Sequence, residues 1–169
     1  MFNKQYLTSY LIFGLIAAIA FCIPAMFYLR TPEFRDTWVL FLGNALFCVV
    51  VSIFILVFNK RRRNENESTQ NMNAAGHIVT IIGVVLASII SFLLLILVVP
   101  DIFAAGTPDT VMEDSHTTMT GGKTDGLVFM LFMNAVVGNF SFGSFAAIIL
   151  PYAAKRNQKK DRHSEVVEN

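Results

Sequence analysis

The sequence predicts an all-α, polytopic integral membrane protein whose four transmembrane helices form an antiparallel bundle. The first observation behind this prediction is the composition, because the 169 residues are 54% hydrophobic and only 15% charged, with a mean hydropathy of +0.57. A soluble domain usually carries about 25% charged residues. The other two observations are four long apolar runs without acidic or basic residues, and basic residues that gather between alternate runs.

The apolar runs predict where the four helices cross the bilayer. Each run has the roughly 20 residues that a helix rising about 1.5 Å per residue needs to cross about 30 Å of hydrocarbon. Helices are the expected form because the bilayer interior offers no hydrogen-bond partner to an open strand edge. Pro24 is expected within the first helix, and Pro151 is expected to end the fourth. The predicted spans are 8–29, 37–58, 77–99 and 127–150.

The distribution of basic residues predicts the orientation. Ten of the thirteen Lys and Arg residues lie before the first span, in the loop 59–76 or in the tail 155–169. The positive-inside rule therefore places both termini and this loop in the cytoplasm, and the expected location is a plasma membrane, by preference the bacterial cytoplasmic membrane. The basic clusters are interpreted as topology anchors that contact lipid headgroups, with no nucleic acid as partner. They comprise Lys60, Arg61, Arg62, Arg63, Lys155 and Arg156.

The domain prediction is one transmembrane unit, residues 1–154, followed by a basic, disordered cytoplasmic tail, residues 155–169. The connection at 100–126 is predicted to be a long acidic loop outside the membrane. A loop of that length is either functional or flexible.

Polar residues inside the spans are the candidate functional positions. Small residues recur every four positions in each span, which indicates faces for close helix packing. A buried amide without partners costs about 2 to 7 kcal/mol, so the Asn side chains should face one another, a neighbouring helix or water. We favour interhelical hydrogen bonding, with a polar path or ligand cleft as the alternative. The candidates are Asn44, Ser52, Ser91, Asn134, Asn139, Ser141 and Ser144.

The segment from Asn139 to Phe145 interleaves Phe with small polar residues. It resembles the Phe and Ser/Thr segment of small four-helix fluoride channels, a resemblance that covers about seven residues and implies that Phe ring edges face an anion. The first helix departs from the Gly-rich, Arg-containing pattern of those channels. The favoured interpretation is that Phe faces lipid while Ser and Gly face other helices.

The sequence matches none of the usual motifs for metal-dependent or nucleophilic catalysis, so we expect no enzyme activity and no cofactor. Glu113, Asp114 and His116 are the one cluster of metal-ligand types, and a solvated acidic loop is favoured over a metal site. The spans carry no titratable carboxylate or amine of the kind that proton-coupled carriers use.

These observations favour a small multi-pass membrane protein that acts through helix packing, either with itself or with a larger membrane protein. Its expected role is accessory, assembly or structural. The first alternative is a passive channel or small-solute facilitator that a homo-oligomer forms around an Asn- and Ser-lined path. The second is a sensor that binds a ligand or lipid through the outer loop.

Overall fold

The chain is helical throughout its four long segments. A computed structural model describes residues 4–30, 34–61, 68–99 and 123–167, with side chains described for 6–30, 35–60, 68–99 and 126–154. The helices are α1 (Lys4–Arg30), α2 (Trp38–Arg61), α3 (Thr69–Val98), α4 (Lys123–Met133) and α5 (Asn139–Val167). A 3-10 turn, Phe34–Thr37, precedes α2, and a π-helical segment, Asn134–Gly138, joins α4 to α5.

Among the described residues, four helical stretches are long and apolar enough to cross a membrane, which confirms the predicted all-helical class and number of spans. They are Tyr6–Arg30, Arg35–Lys60, Thr69–Val98 and Gly126–Ala154. The last stretch, called the fourth span below, combines α4, the π-helical segment and most of the apolar part of α5.

Helix α3 begins eight residues before the predicted span 77–99, at Thr69. The Ser68 hydroxyl accepts a hydrogen bond from the backbone N–H of Asn71 at 3.2 Å, which caps the free amides of the first turn. Met72, Ala75 and Gly76 are buried in the bundle. The boundary of the predicted loop 59–76 is therefore wrong, because polar Gln and Asn residues concealed an apolar face with helical spacing.

The last helix continues through Pro151 to Val167, so the prediction that Pro151 ends it is wrong. Proline removes one backbone hydrogen bond from a helix interior. The residues that follow include Ala, Lys, Arg and Gln, which favour helix. Residues 155–167, expected to form a disordered tail, are part of this helix.

The helices pack side by side, and α2 and α3 also contact each other. Helix α1 packs against α2 and α3, and the fourth span packs against the same two helices. Small residues permit the close contacts, as where Cys22 Sγ lies 3.8 Å from the carbonyl oxygen of Ala87. Aromatic rings fill the wider places, as where the Tyr10 and Phe54 rings meet edge to face with centroids 5.8 Å apart.

The outer surface of the spans carries many large apolar side chains. Phe27, Phe41, Ile89 and Phe145 each expose about half or more of their surface. A soluble monomer rarely shows apolar patches this extensive. The outward apolar surface and the small, partly polar interior are what a bundle surrounded by lipid requires.

Candidate functional site

The candidate site is a cluster of buried amides where α2 meets the fourth span. Asn44 of α2 is fully buried, and Asn134, the first residue of the π-helical segment, is almost fully buried. The Asn44 Nδ2 atom donates a hydrogen bond to Asn134 Oδ1 at 2.8 Å. The two amides therefore link the two helices directly in a region without charged side chains.

The π-helical segment shapes the second half of the cluster. The backbone N–H of Asn139 donates to the carbonyls of Asn134 and Val136, rather than to the carbonyl four residues back that an α-helix would use. The Asn139 Nδ2 atom instead donates to that carbonyl, on Ala135, at 3.1 Å. Asn134 Nδ2 similarly donates to the Met130 carbonyl at 2.9 Å. Side-chain amides thus bind one backbone acceptor within the segment and one in the turn before it.

Gly138 lets Asn44 approach the fourth span. A Cβ atom at position 138 would lie 2.5 Å from Asn44 Nδ2 and 3.0 Å from Asn44 Oδ1. Since both distances are shorter than van der Waals contact, a side chain at this position would displace the Asn44 amide. Gly138 is a site residue that the sequence reasoning missed, although its position directly before Asn139 could have suggested it.

Two buried oxygens of the cluster accept no hydrogen bond. Asn44 Oδ1 and Asn139 Oδ1 are inaccessible to solvent and have no partner within the described part of the chain. Both residues are fully buried. We call these two atoms the open acceptors. A buried acceptor without a donor costs about 1 to 3 kcal/mol, so two of them at one place are unusual in a packed interior.

The four serines predicted as packing or path residues lie elsewhere. Ser91 is buried against α1, with its Oγ 3.8 Å from Cys22 Sγ. Ser52 is half-buried and donates to the Cys48 carbonyl of its own helix at 2.7 Å. Ser141 is exposed, and Ser144 is half-buried with a buried hydroxyl that has no partner among the described residues. No hydrogen bond among the described residues therefore connects these serines to the three Asn side chains.

The Phe residues of the segment 139–145 point away from the bundle. Phe140, Phe142 and Phe145 are all exposed, as expected for side chains that face lipid. Gly143 is buried and faces Thr80 of α3, since a Cβ atom at 143 would lie 2.5 Å from Thr80 Cγ2. The exposure of Ser141 differs from the expectation that the small polar residues of this segment face other helices.

The predicted anchor and metal-ligand residues lie at or beyond the limits of the described side chains. Lys60 is exposed at the end of α2, where Arg61 is the last helical residue. Lys155 and Arg156 continue α5, and their side chains lie outside the described set. Outside the described residues lie Arg62, Arg63, Glu113, Asp114 and His116.

No group of three His, Cys, Asp or Glu residues suited to a metal ion occurs within the described segments. Comparisons with protein-family models, with curated proteins and with solved structures found no match for this chain. The assignment of a function therefore depends on the amide cluster and the surfaces of the bundle.

Proposed function

We propose that this chain is a non-enzymatic, multi-pass membrane protein that acts by packing with itself or with a larger membrane protein. The hydrogen bond from Asn44 to Asn134 carries the proposal, because it uses the most polar interior groups to hold two helices together. The surfaces left for function are then the apolar outer faces of the spans and the connecting segments.

The proposed orientation is an antiparallel bundle with both termini in the cytoplasm. Two ring contacts support antiparallel α1 and α2, since Tyr6 lies 5.6 Å from Phe58 and Tyr10 lies 5.8 Å from Phe54. The basic residues that follow α2 and Pro151 support a cytoplasmic location for those ends. Reporter fusions after Lys60 and at each terminus should all report the cytoplasm, and a terminus on the outer face would contradict this topology.

The role of the amides can be tested with Asn134→Leu. This change leaves the fully buried Asn44 Nδ2 without its acceptor, so we expect a loss of about 1 to 3 kcal/mol in the free energy of unfolding. The matched control is Ser141→Leu, on the exposed side of the same span, which should change stability by less than about 0.5 kcal/mol. Thermal unfolding in mild detergent measures both, and equal stability of the two variants would contradict a packing role.

The packing partner can be tested by purification from native membranes in mild detergent, followed by mass determination of the intact complex. A stoichiometric second protein would identify this chain as an accessory or assembly subunit. A homo-oligomer would support self-packing. A monomer without a bound protein would contradict the proposal.

The open acceptors favour a second candidate, a small-solute facilitator formed by several copies. This candidate predicts solute flux in liposomes that Asn134→Leu or Asn139→Leu abolishes while assembly persists. The packing proposal predicts no flux from the unmodified protein and weaker assembly in the Asn134→Leu variant.

A further inference from the structure

The open acceptors, Asn44 Oδ1 and Asn139 Oδ1, belong to residues that the packing of α2 on the fourth span brings to nearly the same level. Asn44 rests against Gly138, which directly precedes Asn139. One turn further along each helix, a Cβ atom at Gly143 would lie 3.1 Å from the Phe47 ring. The pairs Asn44 with Gly138 and Phe47 with Gly143 therefore align α2 with the fourth span, and the two acceptors belong to residues at or next to the first of these contacts.

Each amide nitrogen of the cluster already donates one hydrogen bond. Asn44 Nδ2 is bound to Asn134, and Asn139 Nδ2 is bound to the Ala135 carbonyl. The hydroxyl of Thr80, the polar side chain that α3 brings to Gly143, donates to the Gly76 carbonyl at 2.9 Å. The amide atoms of the cluster that lack any hydrogen bond are both acceptors, and the chemistry that fits them is a small molecule with two donor hydrogens.

We infer that a water molecule binds within the bundle and donates one hydrogen bond to each open acceptor. Water is favoured over a cation because the spans carry no acidic side chain to balance a charge, and burying an unpaired ion is far more costly than burying a neutral donor. Buried waters in proteins characteristically join polar groups that have no other partner. This inference is independent of the proposed packing role.

The test uses the full chain in lipid nanodiscs with ¹⁵N-labelled Asn. Dipolar magnetisation transfer from long-lived water to side-chain amide protons is measured by NMR. We expect signals at Asn44 and Asn139 at least threefold stronger than at Asn134. Asn134 is the internal control because its amide donates to the Met130 carbonyl and its oxygen accepts from Asn44. Absent or equal signals at the three residues would overturn the inference.

Two further arms identify the ligand and the site. Replacing choline chloride by sodium or potassium chloride at constant ionic strength should leave the Asn44 and Asn139 resonances unchanged, and a saturable shift would mean a cation site instead.

Asn139→Leu should remove the water signal at Asn44, whereas Ser141→Ala, on the exposed side, should preserve it. An unchanged signal in a folded Asn139→Leu variant would overturn the shared site. If that variant does not fold, the comparison with Asn134 in the unmodified protein decides the question.

Discussion

Replacing Gly138 by alanine tests how closely Asn44 is held against the fourth span. The new methyl carbon would lie 2.5 Å from Nδ2, 2.9 Å from Cγ and 3.0 Å from Oδ1 of Asn44. Ordinary contacts between heavy atoms are about 3.5 to 4.0 Å, so the amide must retreat by about 1 Å. Since Asn44 is fully buried, this movement also separates it from Asn134 Oδ1, which it now contacts at 2.8 Å.

The expected loss of stability combines three effects. An added carbon in a packed core costs about 1 to 3 kcal/mol. The lost interhelical hydrogen bond adds about 0.6 kcal/mol, and the better helix propensity of alanine returns about 1 kcal/mol. The net loss is roughly 0.6 to 2.6 kcal/mol. For a chain of this size, the midpoint of thermal unfolding should fall by about 1 to 10 °C.

A thiol-reactive fluorescent dye in mild detergent can measure this change, because Cys22 is buried and reacts as the bundle opens. Val137→Ala is the matched control, since Val137 is the exposed neighbour of Gly138. Asn44→Ala removes the atoms that clash, so the double variant should be more stable than the sum of the single effects by at least about 0.5 kcal/mol. A Gly138→Ala midpoint at or above that of the unmodified protein, or additive effects, would refute the reasoning.

Two further predictions concern α3 and the serines. Ser68→Ala removes the oxygen that accepts the Asn71 N–H, so we expect a loss of about 0.5 to 2 kcal/mol and faster hydrogen exchange in the first turn of α3. Unchanged exchange there would contradict the capping role. Ser91→Leu places a large side chain against Cys22, and the expected cost is about 1 to 3 kcal/mol. Ser52→Ala should change the free energy of unfolding by less than about 0.5 kcal/mol in the same thermal unfolding measurement, because Ser52 bonds only its own helix in the described structure. An effect as large as that of Ser91→Leu would contradict these assigned positions.

The sequence was sufficient to predict the helical class and the number of spans because these depend on total hydropathy and segment length. It also indicated which polar side chains lie inside the bundle, because an Asn side chain has few favourable positions within a membrane. Asn44, Asn134 and Asn139 are all buried, as the high cost of facing lipid requires. The boundaries were less predictable, because Met72 and Ala75 lie among polar residues that resemble a loop.

The parts that could not be predicted depend on contacts between helices. Nothing local in the sequence pairs Asn44 with Asn134, because 90 residues separate them. Ser141 illustrates the same limit, since its exposure depends on the rotation of the fourth span about its axis. The π-helical segment alters that rotation. The helix propensities of the residues Asn134–Gly138 alone do not predict a π-helical segment there.

The π-helical segment corrects the angular phase of the fourth span. Seven buried positions recur every four residues along this span, and they are Leu127, Leu131, Ala135, Asn139, Gly143, Ala147 and Pro151. In a regular α-helix each step of four residues turns about 40° past a full turn, so six steps would carry the stripe about 240° around the axis. One additional residue in a wider turn reduces this rotation of the stripe by about 100°, which brings both ends of the stripe towards α2 and α3.

Deleting the exposed Val136 would therefore place Asn139 four residues after Asn134. The existing hydrogen bond from the Asn139 N–H to the Asn134 carbonyl would become an ordinary α-helical one. Both halves of the buried stripe would keep their angular position about the helix axis. A deletion in the α-helical turns on either side would rotate half of the stripe towards lipid. The fourth span should thus tolerate the loss of a residue best at its widest turn.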